Sequence, residues 1–139
     1  MPDSAAVDAA LVAKLSGDAT LTALMTDGVY FDIAPHGKTK FVIVSLLAEE
    51  DESMFGSGRA YEEGLYLVKA VSSESSAVNA RSAAARIDAL LENGTLTVTG
   101  YSLMRLTRVN RVRYMEVDEA DTTIRWQHQG GHYSVAVCA

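Results

Sequence analysis

Apolar positions change period several times along the chain, and the changes predict the order helix, helix, short strand, strand, strand, helix, strand, strand. Val7, Leu11 and Leu15 recur every four residues, as one face of a helix does, with Asp3 or Ser4 as cap and Ser16-Gly17 as stop. Asp18 is placed to cap a second, short helix carrying Leu21, Leu24 and Met25 and closed by Asp27-Gly28. Val29-Tyr30-Phe31 predicts a short edge strand, and Ala34-Pro35-His36-Gly37 a turn. Residues 41–48 form an unbroken apolar run with β-branched members, as a strand covered on both faces would. Residues 59–71 resume the extended pattern, with Tyr61, Leu65, Leu67 and Val71 on one face and Tyr66, Val68 and Ala70 on the other. Two neighbouring segments that are apolar on both faces belong at the centre of a sheet.

Between those segments Glu49, Glu50, Asp51 and Glu52 run directly into Ser53, Met54, Phe55 and the glycines at 56 and 58. Four consecutive carboxylates cannot continue a strand inside a core, so a mobile hairpin loop with an acidic base and an apolar tip is expected there. Residues 75–92 then predict a helix whose stripe at 77, 80, 84, 87 and 91 is mostly alanine, which lets a backbone lie close across a sheet. Ser73 or Ser75 is its expected cap, and Asn93-Gly94 its left-handed exit.

The last two strands depart from simple alternation. Over residues 101–117, Met104, Leu106, Val112 and Tyr114 share one face and Arg105, Arg111 and Arg113 the other, but Arg108 and Asn110 fall on the apolar side. Either a β-bulge repairs the register or the strand leaves the sheet and reaches past the globule. Over residues 123–137 the apolar parity switches at Gly130-Gly131, from Ile124, Trp126 and His128 to Tyr133, Val135 and Val137, which predicts a bulge or bend at the glycines. The expected architecture is α+β: one domain over residues 1–139, with a mostly antiparallel sheet of four to five strands and helices gathered on one face.

Composition narrows the function. At 139 residues with 48% apolar content, the chain can bury a core without staples. No apolar run approaches the roughly 20 residues that span a bilayer, so no membrane association is expected. The acidic start, Met1-Pro2-Asp3-Ser4, lacks the basic segment of a secretory leader, and a lone Cys138 makes no internal disulfide, which points to assembly in a reducing cytoplasm.

The net charge of −6 argues against general nucleic-acid binding. Yet Arg105, Arg108, Arg111 and Arg113 put four of eight arginines within nine residues, and outside that window 8 basic residues face 18 acidic ones, a balance of −10. Such a strip is either a solvated face paired with Glu62, Glu63 and Glu116, or a surface that meets an acidic neighbour.

Catalytic patterns are missing: Gly56-Ser57-Gly58 lacks the nucleophile-elbow spacing, and no phosphate- or dinucleotide-binding glycine motif occurs. His128 and His132 on a strand stand some 13 Å apart at about 3.3 Å per residue, too far for one metal. No cofactor and no enzymatic activity are therefore expected.

In their order these segments resemble the phage tail-completion, or tail-terminator, family. Residues 7–11 and 18–24, the turn Gly28-Val29-Tyr30-Phe31-Asp32-Ile33-Ala34-Pro35, the extended 41–45, the tyrosine-bearing strand 61–71, the alanine-rich helix and the alternating 133–137 carry the likeness over nearly the whole chain. The resemblance implies a non-enzymatic virion protein, a homo-oligomeric, six-fold ring on the head-proximal end of the tail. Its implied partners are further copies of itself, the tail tube protein and a head-tail connector or stopper protein, with DNA only passing through the channel. The candidate interface comprises Glu49, Glu50, Asp51, Glu52, Met54 and Phe55 on one side and Arg59, Arg105, Arg108, Arg111 and Arg113 on the other. Another ring protein of the neck, or a small ligand-binding α+β domain, are the alternatives.

Overall fold

A computed structural model describes residues 4–53, 59–74 and 76–138. The elements are α1 (Ser4–Ser16), α2 (Ala19–Leu24), β1 (Val29–Phe31), β2 (Lys40–Ser53), β3 (Arg59–Ser72), α3 (Val78–Leu91), β4 (Ser102–Val117) and β5 (Arg125–Cys138). The strands make one sheet in the order β1-β2-β3-β5-β4. β1 runs parallel to β2, and the other three pairings are antiparallel. This is the expected α+β fold, with β3 at the sheet centre.

All three helices cover one face. Val42 and Val44 of β2, Tyr66, Val68 and Ala70 of β3, Tyr133, Val135 and Val137 of β5 and Leu106 of β4 meet Val7, Leu11 and Leu15 of α1, Leu21 of α2 and Ala83, Ile87 and Leu91 of α3 in one core. Each fully buried leucine stabilises the fold by about 2 kcal/mol. Ala80 and Ala83 are wholly buried, so α3 sits close over β3 and β5. Two long ties fix helices to sheet: the Tyr66 hydroxyl donates to Asp8 (2.6 Å) and the Tyr133 hydroxyl to Asp88 (3.0 Å). Burial of each phenol, together with its carboxylate partner, pushes both hydroxyls well above the usual tyrosine range.

The termini of the helices follow sequence chemistry in part. Asp18 caps α2 by accepting from the Leu21 amide. Asn93 takes the left-handed conformation after α3, as its Asn-Gly exit predicts (φ 54°). The start of α3 differs: the helix opens at Val78 behind Ala77, with no side-chain cap on that position. Ser76 accepts from the Val78 amide, and Ser73 instead joins the sheet side by donating its amide to Thr39. Ser75 lies outside the described residues.

Two strand expectations need correction, and a third is decided between its alternatives. First, the acidic run is strand, not loop: β2 continues through Glu49, Glu50, Asp51 and Glu52 to Ser53, paired with β3 as far as Arg59. Leu47 and Ala48 are exposed, whereas Glu49 is half-buried with one carboxylate oxygen enclosed, so the acidic run starts at the margin of the core. β3 pairs with β5 only from Glu62 onward, leaving a two-stranded ribbon beyond that point. Met54 and Phe55, the expected apolar tip, lie outside the described residues.

Second, β5 holds an unbroken register with β3 across Gly130 and Gly131, without bulge or bend. The apolar parity switches because both faces of β5 are covered: His128 on the open face is buried, and so are Tyr133 and Val135 under the helices. The glycines answer a different need. A Cβ on Gly130 would stand 2.0 Å from the Val68 carbonyl oxygen, and one on Gly131 would stand 2.7 Å from that of Asn110.

Third, β4 carries register shifts between Leu103 and Arg105 and between Arg108 and Asn110. The bulge thus repairs the register, as one of the two expectations held. The strand stays paired with β5 to Val117 and does not depart from the sheet.

Candidate functional site

The two bulges redistribute the arginines. Directly opposed residues of an antiparallel pair share a face. Arg108, Arg111 and Arg113 lie opposite Tyr133, Gly131 and Gln129 and so stand on the helix side, whereas Arg105 lies opposite Ala136 on the open side. Strict alternation grouped Arg105 with Arg111 and Arg113 and set Arg108 apart. The extra residues Met104 and Val109 shift the count, so that grouping is wrong. Met104 and Tyr114, expected on an apolar core face, are substantially exposed, and only Leu106 of that set is buried.

On the open side Arg105 donates to Glu63 at 2.6 Å and reaches Ser134, whose hydroxyl also donates to Glu63. Here the solvated-face reading of the arginine strip holds. On the helix side β4 and α3 flank a groove of about 490 Å³ lined by Arg81, Asp88, Arg108, Arg111, Arg113 and Tyr133 among others. Arg108 pairs with Asp88 at 2.7 Å, and that hydrogen bond raises the guanidinium pKa further. Its backbone amide donates to Glu92, and Asp88 also accepts from Tyr133, so one carboxylate anchors the inner wall. Arg81, Arg111 and Arg113 are exposed, and among the described residues they have no ion-pair partner. The groove is a cationic surface with three guanidinium groups directed to whatever approaches it.

Sequence reading found three of these four arginines and missed Arg81, Asp88 and Tyr133. Arg81, Ala84, Ala85 and Asp88 have the 0, 3, 4, 7 spacing of a second stripe beside the buried one, which is the signal that was present.

Of the acidic candidates, Glu49 sits on β2 opposite Gly64, Glu50 opposite Glu63, Asp51 opposite Glu62 and Glu52 opposite Tyr61. Arg59 pairs in backbone register with Ser53, at the far end of the ribbon. The ribbon lies on the β2–β3 side of the sheet and the arginine groove at the β4 edge, two strands away. The structure therefore separates acid from base instead of joining them in one site.

The sheet face away from the helices holds a second hollow, of about 470 Å³, between the 32–38 loop and Phe41, Ile43, Val71, Trp126 and His128. His128 contacts Glu116 through Nε2 at 2.7 Å and stacks on Tyr114, with ring centroids 4.3 Å apart. Burial, with Lys69 nearby, lowers its pKa, and Glu116 only partly opposes this. His132 instead contacts Asn110. Among the described residues no group of three or more His, Cys, Asp or Glu is arranged to hold a metal, and no helix is long and apolar enough to cross a membrane.

Comparison with known proteins bears on these surfaces. A chain in a structure titled "Virion of native gene transfer agent (GTA) particle" superposes with a TM-score of 0.74 at 23% identity, covering 99% of this chain and 98% of that one. A second solved chain gives a TM-score of 0.63 at 15% identity, over 100% and 98% of the two chains. Both report the same fold. No curated protein sequence matches. The profile of the family described as "Tail completion protein gp17" matches residues 9–129, which run from within α1 through β4 into the start of β5. The chain thus belongs to the tail completion protein gp17 family and has a structural role in completing a phage-type tail.

Proposed function

We propose that the protein forms a ring, six-fold as the resemblance implies, on the head-proximal end of the tail tube. There it stops tube polymerisation and presents a docking face to the head connector, with DNA passing through the channel. Family membership over residues 9–129 carries this reading. The separation of an acidic ribbon from a basic groove supports it, because a closed ring of identical subunits needs two different patches that meet. The protein acts by shape and charge, without turnover, in a virion whose parts assemble in the host cytoplasm.

The test is polymerisation of purified tail-tube subunits with and without the protein, viewed by negative-stain electron microscopy. Annuli in the purified protein, and tubes that stop growing with an annulus at one end, are expected. Tubes of unaltered length, without density at either end, would count against the proposal.

A further inference from the structure

The geometry points to the second half of the β4 edge, residues 110–117, as the docking site for an extended acidic segment of a partner protein, which joins the sheet there as a sixth strand. Such docking is independent of the ring reading, since a sheet edge takes a strand in a ring or in a single subunit alike.

The chain covers the first half of this edge itself and leaves the second half bare. β4 ends the sheet, so no strand lies along its outer side. Past α3 the chain returns along that side: the Asn93 amide donates to the Leu106 carbonyl, and the Arg108 amide donates to Glu92. From Asn110 to Val117 the register with β5 is regular, and among the described residues no hydrogen bond reaches the outer side of this backbone. A typical strand has about five or six residues, so the bare stretch is long enough for a complete ladder.

Side chains say what kind of strand fits. Of the eight large apolar side chains exposed among the described residues, five belong to β4, and Tyr114, Met115 and Val117 lie in the bare stretch. Arg111, Arg113, Met115 and Val117 share the helix side. Arg111 and Arg113 are exposed and have no ion-pair partner among the described residues, and Arg81 of α3 lines the same groove. A strand laid beside β4 sets its own alternate residues against these four. Carboxylates suit the places beside Arg111 and Arg113, where planar guanidinium groups offer paired donors. Apolar side chains suit the places beside Met115 and Val117. A second β4 with its helices on the same side offers Arg111 and Arg113 only arginine, methionine or valine, because Glu116 stands on the open side. Duplex DNA meets guanidinium groups but brings no row of amides for a strand edge and no apolar partner for Met115 or Val117.

The probe is a peptide with blocked ends, Val-Thr-Val-Thr-Glu-Thr-Glu-Thr. In antiparallel register it sets its valines against Val117 and Met115 and its glutamates against Arg113 and Arg111. It is titrated at low salt into the isotope-labelled full-length protein, with amide chemical shifts and hydrogen exchange as readouts. Shifts centred on residues 110–117, with slowed exchange of the outward β4 amides, are expected. Arg111→Glu with Arg113→Glu, shown to be folded by circular dichroism and thermal melting, is expected to bind at least about tenfold more weakly. Exchanging the peptide's glutamates for lysines is expected to weaken binding to the wild type and restore it to that variant.

No saturable shift at millimolar peptide would overturn the docking site. So would equal binding of the same peptide N-methylated along its backbone, which keeps the charges but has no amides to build a ladder. Rings of the wild type that come apart in the arginine variant, with no peptide added, would give the edge to a second copy and overturn the proposal. Binding of a short DNA duplex at the arginines, with no response to the peptide, would give it to nucleic acid with the same result. None of these outcomes touches the ring reading, which annuli and capped tube ends decide.

Discussion

At Asp18 one carboxylate accepts from the Leu21 amide and from two nitrogens of Arg86, at 2.6 and 2.8 Å, so it starts α2 and ties that helix to α3. The forked Arg86 hydrogen bond, aided by the amide and the positive charge, holds its pKa down at about 2 against an ordinary 3.8. A carboxyl depressed in the folded state adds stability that is fully present above about pH 4 and is lost as pH falls through about 2. Asp18→Asn keeps a cap acceptor but removes the charge. It is expected to flatten the fall of the urea midpoint between pH 4 and pH 2, while Asp18→Ala costs about 1 kcal/mol at neutral pH as well. Parallel acid profiles for wild type and Asp18→Asn would contradict the assignment. The cap itself was legible, since an Asp ahead of a leucine-spaced stretch has a local meaning. Its partner was not, because Arg86 is 68 residues away and only the fold brings it near.

Strands hold the larger lesson. Periodicity located every element, because burial imposes a two- or near-four-residue repeat wherever one face meets a core. It placed the wrong residues on the faces of β4, because one added residue inverts all that follows and nothing local to Met104 or Val109 announces it. At β2 the rule that charges end a core strand failed, because the strand runs on along the margin of the core, with Leu47 exposed and Glu49 half-buried. At Gly130 a sequence pattern that predicts a bend marks the close passage of β5 against β3 instead. Gly130→Ala has to push the Val68 carbonyl aside, and an expected loss of about 3 kcal/mol follows from such overpacking against a backbone. Chemical denaturation measures it, and a loss under 1 kcal/mol, on the order of an ordinary surface change, would show that the strands relax freely.

For the whole molecule, β4 is an edge strand 16 residues long, and long edges invite unwanted pairing unless charge and bulges deter it. Its arginines and two irregularities meet that need in the isolated subunit, and Met115 and Val117 stay exposed at its far end. If the groove beside this strand is filled by a neighbour, the outward amides of β4 will exchange hydrogen slowly in the assembled state. They will exchange quickly in the Arg111→Glu, Arg113→Glu variant. Equal protection in both would place the contact elsewhere. Added salt is expected to speed that exchange in the wild type as well, since exposed charges further apart than about 10 Å at 0.1 M are largely screened.

The extra residues at Met104 and Val109 also determine how the chain can vary in length. Removing either one leaves every other side chain of the strand on its present side, because the partner residues across from it are already consecutive. Removing a regularly paired residue such as Val112 would send Arg113 to the opposite surface. Tolerated single-residue indels along this edge should therefore cluster at those two positions, where a shorter strand keeps its pattern of charge.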